Sequence, residues 1–541
     1  MTATLAPAHA RTGSKAARGQ LTGTGAMLRL ALRRDRIKLT IWLLAITALV
    51  PRFYYAAVAS VIPTPQAMAE ASQMIRVSFM RVLAGPMFGA EITAQRYFLA
   101  AYWVEFLLAA ALMNILLITR HTRAEEQSGR AELIRAAVVG RQAQLTAALS
   151  LALIGNVVLA LLTAAAAISI GFPAGSALLF GLSLAAAGLV FAAVTAVAVQ
   201  VTEQPRGASG LAGAALFAAW LLRGAGAMQA QEGGPLFWLS PIGWSQQTRA
   251  LGDERWWPLA LSALLTGLLL AGAYALAGRR DLGAALVAAR PGRASAPSWL
   301  SSPFTLALRL QRATIVWWAA AFLAVGVVLG AMTGGMAETD LPIFAGADFG
   351  RAWISLMVFT GSLYTGVFVV LAVVRMRAEE VRGRVAPLLA GPTGRTAWLG
   401  SSLLVTALAA VLLLAVYGIA LGAGAAASTG EAGFVGEVVL ACLIRVPEVL
   451  VLLAIPAVLL GLAPRAISLA WAVLVYSGFI QILGSYLGVP SWLVNTSVLS
   501  HLPWHPLGTF APVATVVLTV LAAALTTLAL YGLRRRDLSA G

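Results

Sequence analysis

Four ionisable side chains lie inside long apolar runs of the sequence, where a charge is costly and is usually kept for a purpose. They are Glu105, Arg223, Arg445 and Glu448. Arg445 and Glu448 are three positions apart, so they share one face of a helix and can neutralise each other. Glu105, Arg445 and Glu448 are therefore candidates for the polar lining of a translocation path. A structural clasp between helices is an equally good interpretation of the pair, and Glu105 could instead carry a proton.

Residue types that build metal or redox sites are scarce. Cys442 is the only cysteine, so no disulfide framework and no cysteine-based metal site can form. His501 and His505 have a spacing that could bind a metal on a helix, but Pro503 interrupts it. We expect two solvated imidazoles, no metal site and no catalytic residues.

The composition of the 541 residues indicates a membrane protein. Hydrophobic residues make up 60% of the chain and charged residues 11%, and the mean hydropathy is +0.85. A soluble domain carries about 25% charged residues, and a globular protein of this size could not hide so much apolar surface from water. The net charge of +17 does not indicate a nucleic-acid binder, because the basic residues lie between apolar runs and form no single face.

Apolar runs of about 20 residues, the length needed to cross hydrocarbon, occur twelve times. They lie near residues 39–59, 97–119, 144–169, 175–200, 208–228, 257–277, 314–333, 353–374, 398–424, 434–461, 467–487 and 511–532. If the N-terminus is inside, the connections on that side hold 29 of the 38 Lys and Arg residues. The positive-inside rule then places both termini in the cytoplasm. We expect an all-α polytopic membrane protein with about twelve transmembrane helices.

Short sequence islands occur twice in the same order, which indicates a tandem duplication. They are LALRRDRIKLTIW at 30–42 and LALRLQRATIVWW at 306–318, AGPMFG at 84–89 and AGADFG at 345–350, RAEEQSGR at 123–130 and RAEEVRGR at 377–384, PRGAS at 205–209 and PRAIS at 464–468, Leu239, Ser240 and Trp244 with Leu499, Ser500 and Trp504, and RRDL at 279–282 and 535–538. These islands predict a disordered cytoplasmic leader at 1–26, six-span halves at 27–282 and 304–541, and a cytoplasmic linker at 283–303. Parallel repeats of this kind are related by an axis along the membrane normal.

Each half begins with an amphipathic stretch, at 27–39 and 304–315. We expect interfacial helices there, with leucines in the acyl boundary and arginines at the lipid phosphates. The arginines shared by both stretches are Arg33, Arg36, Arg309 and Arg312. A cytoplasmic extension of the first span is the alternative.

The two RAEE segments, residues 123–130 and 377–384, follow the second span of each half. Glu126 with Arg130, and Glu380 with Arg384, have the spacing of ion pairs on an exposed helix. Apolar residues follow each segment. The pattern predicts docking sites for a soluble partner with twofold symmetry, although a solvated connector of good helix formers would look similar.

The chain resembles the ABC-2 type transporter permeases, in particular the duplicated exporters of polyketide antibiotics, or tetronasin-type permeases, of actinobacteria. In that family the loop after the second span is a coupling helix that seats in a groove of the nucleotide-binding subunit. The resemblance gives this role to Glu125, Glu126, Gly129, Arg130, Glu132, Glu379, Glu380, Gly383 and Arg384. The second copy departs from the first, since Ala386 and Pro387 stand where the first copy has Glu132 and Leu133.

The chain has no ATPase site of its own. A P-loop needs Gly-Lys followed by Ser or Thr, and the two lysines, Lys15 and Lys38, follow Ser14 and Ile37. The resemblance therefore implies two copies of a separate ATP-binding cassette ATPase that hold ATP and Mg, with no cofactor on this chain. It also implies export of hydrophobic or amphipathic small molecules, such as antibiotics, across the cell membrane. The other expected partner is membrane lipid, and no nucleic acid is expected.

Two other classes stay open. A proton-coupled multidrug antiporter also commonly has twelve spans in parallel halves, and Glu105 is the convenient carboxylate for it. A polytopic membrane enzyme, such as a lipid-linked sugar transferase, would need paired acids in an outer loop. Near the start of the second span Glu91 is the only acid, so the sequence gives this class no support.

Overall fold

The computed structural model describes residues 19–76, 80–89, 91–128, 139–279, 286, 295–337, 349–483, 489–506 and 508–537. Within these ranges all regular secondary structure is helical. Contacts divide the chain into two units, residues 1–292 and 293–541. The boundary falls inside the segment that the sequence indicates as a linker.

The described part of the first unit contains ten α-helices and one 3-10 turn. They are α1 (Thr24–Ser60), α2 (Pro65–Arg76), α3 (Met80–Leu83), α4 (Ala94–His121), α5 (Arg123–Gln127), α6 (Ala143–Ser169), α7 (Ala174–Val201), α8 (Pro205–Gln229), the turn Pro235–Leu239, α9 (Pro241–Gln246) and α10 (Pro258–Ala277).

Helix α7 lies at the centre of the first unit, where it packs against α4, α6, α8 and α10. Small residues allow this close packing, since a Cβ at Gly181 would overlap the carbonyl of Ala160 in α6. Aromatic rings fill the contact with α4. Trp103 and Phe180 meet edge to face with 5.8 Å between centroids, and the Trp103 indole donates a hydrogen bond to Ser183 Oγ at 3.0 Å. Edge-to-face geometry is the arrangement that aromatic pairs prefer.

The second unit likewise contains ten described α-helices. They are α11 (Pro303–Ala331), α12 (Thr333–Ala337), α13 (Phe349–Val381), α14 (Ala386–Leu389), α15 (Arg395–Thr429), α16 (Phe434–Ile444), α17 (Val446–Leu462), α18 (Leu469–Leu483), α19 (Ser491–Val494) and α20 (Pro512–Arg535), with 3-10 turns at Pro464–Ala466 and Val498–Ser500.

Glycines control the closest contact of the second unit, between α11 and α15. A Cβ at Gly326 would lie 2.7 Å from the Cβ of Ala420, and a Cβ at Gly330 would overlap the carbonyl of Leu421. Gly326 and Gly330 are four positions apart, the spacing with which small residues bring two membrane helices together.

The predicted span near 434–461 is divided into α16 and α17 at Arg445. Pro447 explains the division, because proline has no N–H to donate and its ring clashes with the carbonyl four residues earlier. The corresponding helix of the first unit, α7, has no such break.

Eleven described helices, with α16 and α17 taken together, are long and apolar enough to cross a membrane. The remaining predicted span, near 467–487, corresponds to the shorter α18, whose apolar part is Leu469–Gln481. Residues 484–488 lie outside the described residues. The expected all-α polytopic fold is confirmed.

The leader predicted at 1–26 is too long. Residues 1–18 lie outside the described residues, but the amides of Gly140 and Gln142 donate to the carbonyls of Thr22 and Gln20 at 2.8 and 3.1 Å. Helix α1 then begins at Thr24. Backbone hydrogen bonds to a distant loop therefore fix residues 20–22, and no pattern in the sequence predicts these bonds.

Candidate functional site

The first RAEE segment begins directly after α4, and its described part forms the five-residue helix α5. Arg123 is fully buried. Its guanidinium contacts Glu126 at 2.7 Å and donates to the carbonyl of Val199, in the last turn of α7, at 2.6 Å. A cation near the C-terminus of a helix is favourable because the last carbonyls lack intrahelical partners. Arg123 therefore ties the RAEE segment to the central helix.

A second set of charges ties α1 to the same end of the first unit. Glu125 forms an ion pair with Arg34 of α1. Next to Arg34, the buried carboxylate of Asp35 contacts Arg120 at 2.6 Å and the Nε2 atom of His121 at 2.5 Å. These contacts join α1, α4 and α5. We call the end of each unit that carries its RAEE segment the basic end.

The second RAEE segment is built differently. Its first residues continue α13 to Val381, so the expected separate helix does not form there. Glu380 is buried; its Oε1 atom lies 3.1 Å from Arg377 and 2.8 Å from Arg536, which follows α20. Arg395, at the start of α15, donates to the carbonyl of Arg536 at 2.7 Å. Glu380 thus joins the end of α13 to Arg536 after α20, and Arg536 in turn contacts α15.

The predicted pairing of Glu380 with Arg384 is wrong. Arg384 contacts Glu379 at 3.1 Å instead. Gly383 is the reason: its φ of +69° lies in the left-handed region that glycine adopts without strain. The helix therefore ends before Arg384, and residues 380 and 384 no longer share a helical face.

The surface that the RAEE segments offer to a partner differs from the predicted one. Glu125, Glu126 and Glu380 point into their own unit, as described above. The exposed residues of the described parts are Gln127, Ser128, Val381, Arg382 and Arg384. Gly129, Arg130 and Glu132 lie outside the described residues.

The amphipathic stretches form no separate helices, because each is the first part of α1 or α11. Arg33, Arg36 and Arg312 are exposed and Arg309 is half-buried. Leu28, Leu32 and Leu39, expected in the acyl boundary, instead pack against a cluster of residues from α4, α6 and α7. This agrees with the alternative to the extent that each stretch is an extension of the first span.

Glu105 and Arg223 come together in the first unit, close enough for their charges to interact. Glu105 is exposed on α4, whereas Arg223 is fully buried in α8. The Arg223 guanidinium donates to the carbonyls of Arg81, Val82 and Ala84, at 3.1 Å for Arg81 and 2.9 Å for Ala84. These carbonyls belong to the last turn of α3 and the residue after it. Arg223 therefore holds the connection between the first two spans.

Arg445 and Glu448 are fully buried and contact each other at 3.3 Å. Both also bind the same residue: Arg445 donates to the Leu502 carbonyl at 3.4 Å and Glu448 accepts from the Leu502 amide at 3.3 Å. The guanidinium lies over the ring of Phe359, 5.4 Å from its centroid. This geometry is that of a clasp between α17, α13 and the loop before α20.

Sequence reasoning missed two of the important residues, Asp35 and Arg536. A signal existed for each. Asp35 is the one acid within a basic stretch, and Arg536 belongs to the repeated RRDL island. Neither pattern says which residue, 85 to 160 positions away, completes the contact.

The bundles of apolar helices define a multi-pass membrane protein. Residues 25–277 and 300–534 match the family described as "Multidrug efflux system permease Rv1217c, C-terminal domain". The chain is also 36% identical, over 528 residues and 95% of each chain, to the multidrug efflux system permease protein Rv1217c of Mycobacterium tuberculosis (strain ATCC 25618 / H37Rv). The chain belongs to this family of multidrug efflux permeases. The narrower tetronasin-type form stays a prediction.

Proposed function

We propose that this chain is the permease subunit of an ABC exporter, and that it moves hydrophobic or amphipathic drugs out of the cytoplasm. The observation that carries the proposal is the pair of RAEE segments, one at the basic end of each unit, in a chain with no P-loop of its own. Two copies of a separate ATPase, holding ATP and Mg, would bind there. Membership of a multidrug efflux family supports the cargo class.

Charge supports the orientation. The connections predicted to be inside include the segments at the basic ends, and basic segments resist translocation across the membrane. Both termini and both RAEE segments would then face the cytoplasm, where a soluble ATPase and its nucleotide are found. The protein would lie in the cell membrane.

Movement of the cargo would follow from two states of the permease. An ATPase pair that binds one state more tightly when loaded with ATP shifts the permease toward that state. The RAEE segments can pass on such a shift because contacts of the buried Arg123 and Glu380 fix each of them to spanning helices of its own unit.

Co-purification tests the proposal. The full-length chain, expressed with a candidate ATP-binding cassette ATPase from the same genome, should retain two ATPase copies and show ATP-dependent efflux in vesicles. Arg382→Glu should reduce retention, because Arg382 is exposed on the second RAEE segment. Arg465→Glu is the matched control, since Arg465 is an exposed arginine in the loop between α17 and α18.

Two outcomes would overturn the proposal. One is uphill efflux by the purified chain alone, abolished by a protonophore, which is the behaviour of a proton-coupled antiporter. The other is full retention of the ATPase by Arg382→Glu together with Val381→Asp, which would place the docking surface elsewhere.

A further inference from the structure

Two repeated islands of the sequence meet in the second unit. The second RAEE segment supplies Glu380 and Arg377, and the RRDL island at 535–538 supplies Arg536. These islands are about 155 residues apart in the chain. A contact between them is a physical reason for both to be present in the same half.

The contact is largely shielded from water. The Glu380 side chain is 1% exposed, and those of Arg377 and Arg536 are 17% and 14% exposed. A second bond from Arg536 to the other carboxylate oxygen of Glu380 measures 2.9 Å. A buried carboxylate is tolerated only when it is paired and hydrogen-bonded, so Glu380 depends on these two arginines.

The first unit fixes its RAEE segment through other contacts. Glu126, the counterpart of Glu380, pairs with Arg123, the counterpart of Arg377. Arg123 also donates to the Val199 carbonyl of α7, and Glu125 pairs with Arg34 of α1. In the second unit the position matching Arg34 is Leu310, which cannot make this pair. Arg280, the counterpart of Arg536, lies outside the described residues.

We propose that Arg536 is a positioning residue that fixes the second RAEE segment, at the end of α13, to the end of α20. Its role in coupling rests on the proposed function. A force applied to this segment would then act on α13 and α20 together.

A first experiment needs no ATPase. The sole cysteine, Cys442, is replaced by Ala, and Arg382→Cys carries a nitroxide label on the second RAEE segment of the full-length chain in detergent. Arg536→Gln and Glu380→Gln should each increase the mobility of the label. Arg536→Lys, which keeps the charge, should restore most of the immobilisation. Arg534→Gln is the control, because Arg534 is an exposed arginine two positions earlier.

Unchanged mobility in Arg536→Gln would overturn the proposal. A label that becomes as mobile in Arg534→Gln as in Arg536→Gln would also overturn it, because any change near the C-terminal end of α20 would then have the same effect. Size-exclusion profiles of the variants show that the compared proteins are folded.

A second experiment measures coupling in vesicles that contain the chain and its co-purified ATPase. Arg536→Gln should keep the amount of bound ATPase and its rate of ATP hydrolysis within about twofold. Efflux per ATP hydrolysed should fall about tenfold, the size of change that a typical coupling free energy produces. A parallel fall in all three quantities would mean a merely structural role and would overturn the coupling part. If the unaltered chain binds no ATPase, the proposed function fails, and the label mobility still decides whether Arg536 holds the segment.

Discussion

Arg223 in the first unit and Arg445 in the second are both fully buried, away from the basic end, and each holds a loop, but by different means. Arg223 donates to three backbone carbonyls of one short segment and has Glu105 as a neighbour. Arg445 has a buried carboxylate partner, and both bind Leu502. In the second unit the carboxylate of Glu448 lies beside the break that Pro447 causes in the helix. The two units therefore fix a buried arginine by different contacts, although their sequences share the same repeated islands.

The largest expected difference between the units concerns these arginines. Glu448→Leu leaves the charge of Arg445 buried without its partner, which should lower the free energy of unfolding by about 3–5 kcal/mol. Glu105→Leu should cost about 0.6–1.7 kcal/mol, as for other polar contacts between membrane helices, because Arg223 keeps its three carbonyl partners. Denaturant unfolding of the full-length chain in detergent, followed by tryptophan fluorescence, measures both.

The double variant Arg445→Leu with Glu448→Leu sharpens this test. It removes both charges, so it should recover part of the stability that Glu448→Leu loses. Equal losses for Glu105→Leu and Glu448→Leu would contradict the comparison.

The next largest expected difference between the units concerns Gly140 and Gly394, which follow the two RAEE segments at equivalent positions 254 residues apart. A Cβ at Gly140 would overlap the carbonyl of Gln20, whereas a Cβ at Gly394 would meet nothing within 4 Å. Gly140→Ala should therefore destabilise the chain by about 1–3 kcal/mol, as overpacking does. Gly394→Ala should change the stability by no more than about 0.5 kcal/mol. Melting temperatures of the two variants compare them directly, and the reverse order would show that the contact at Gln20 does not form.

A pair of buried asparagine side chains in the first unit is replaced by apolar residues in the second. Asn114 of α4 and Asn156 of α6 donate to each other's side-chain oxygens at 3.1 and 2.8 Å. Their counterparts 254 positions later are Phe368 and Ala410. Asn114→Leu should cost about 0.6–1.7 kcal/mol, the range for polar contacts between membrane helices. The double variant with Asn156→Leu should cost less than the two single losses together; strict additivity in this double-mutant cycle would exclude the pair as a source of stability.

The smallest expected effect is on pH dependence. Burial, and then the charge of Arg445, lowers the pKa of His505 below its ordinary value. The folded chain therefore binds this proton less readily than the unfolded chain, so this contribution to stability is complete above about pH 6.5 and is lost as the pH falls. His505→Gln should flatten the decrease in melting temperature between pH 7 and pH 5, whereas the exposed His501→Gln should not.

The sequence predicts the fold well because the length of an apolar run is a local signal, and because the repeated islands are visible when the two halves are compared directly. It predicts the sites only in part. The RAEE segments stand out as repeated charged islands, but the pairing of Glu380 with Arg384 depends on helix geometry that Gly383 ends. The contacts of Glu125 with Arg34 and of Glu380 with Arg536 join distant positions, and no local pattern encodes such a pair. The Arg445 and Glu448 spacing was informative because both residues lie within four positions.

Helix α1 has a mechanical consequence. Its charged first part, Thr24 to Lys38, corresponds to about 22 Å of helix at 1.5 Å per residue, and its arginines keep it out of the hydrocarbon. This part is a lever arm continuous with the first span. Tilting it by about 10° would swing its tip by about 4 Å, and the ion pair at Arg34 lies along that arm. A small rotation inside the bilayer is thereby converted into a displacement large enough to reorganise the side-chain contacts along this part of the helix.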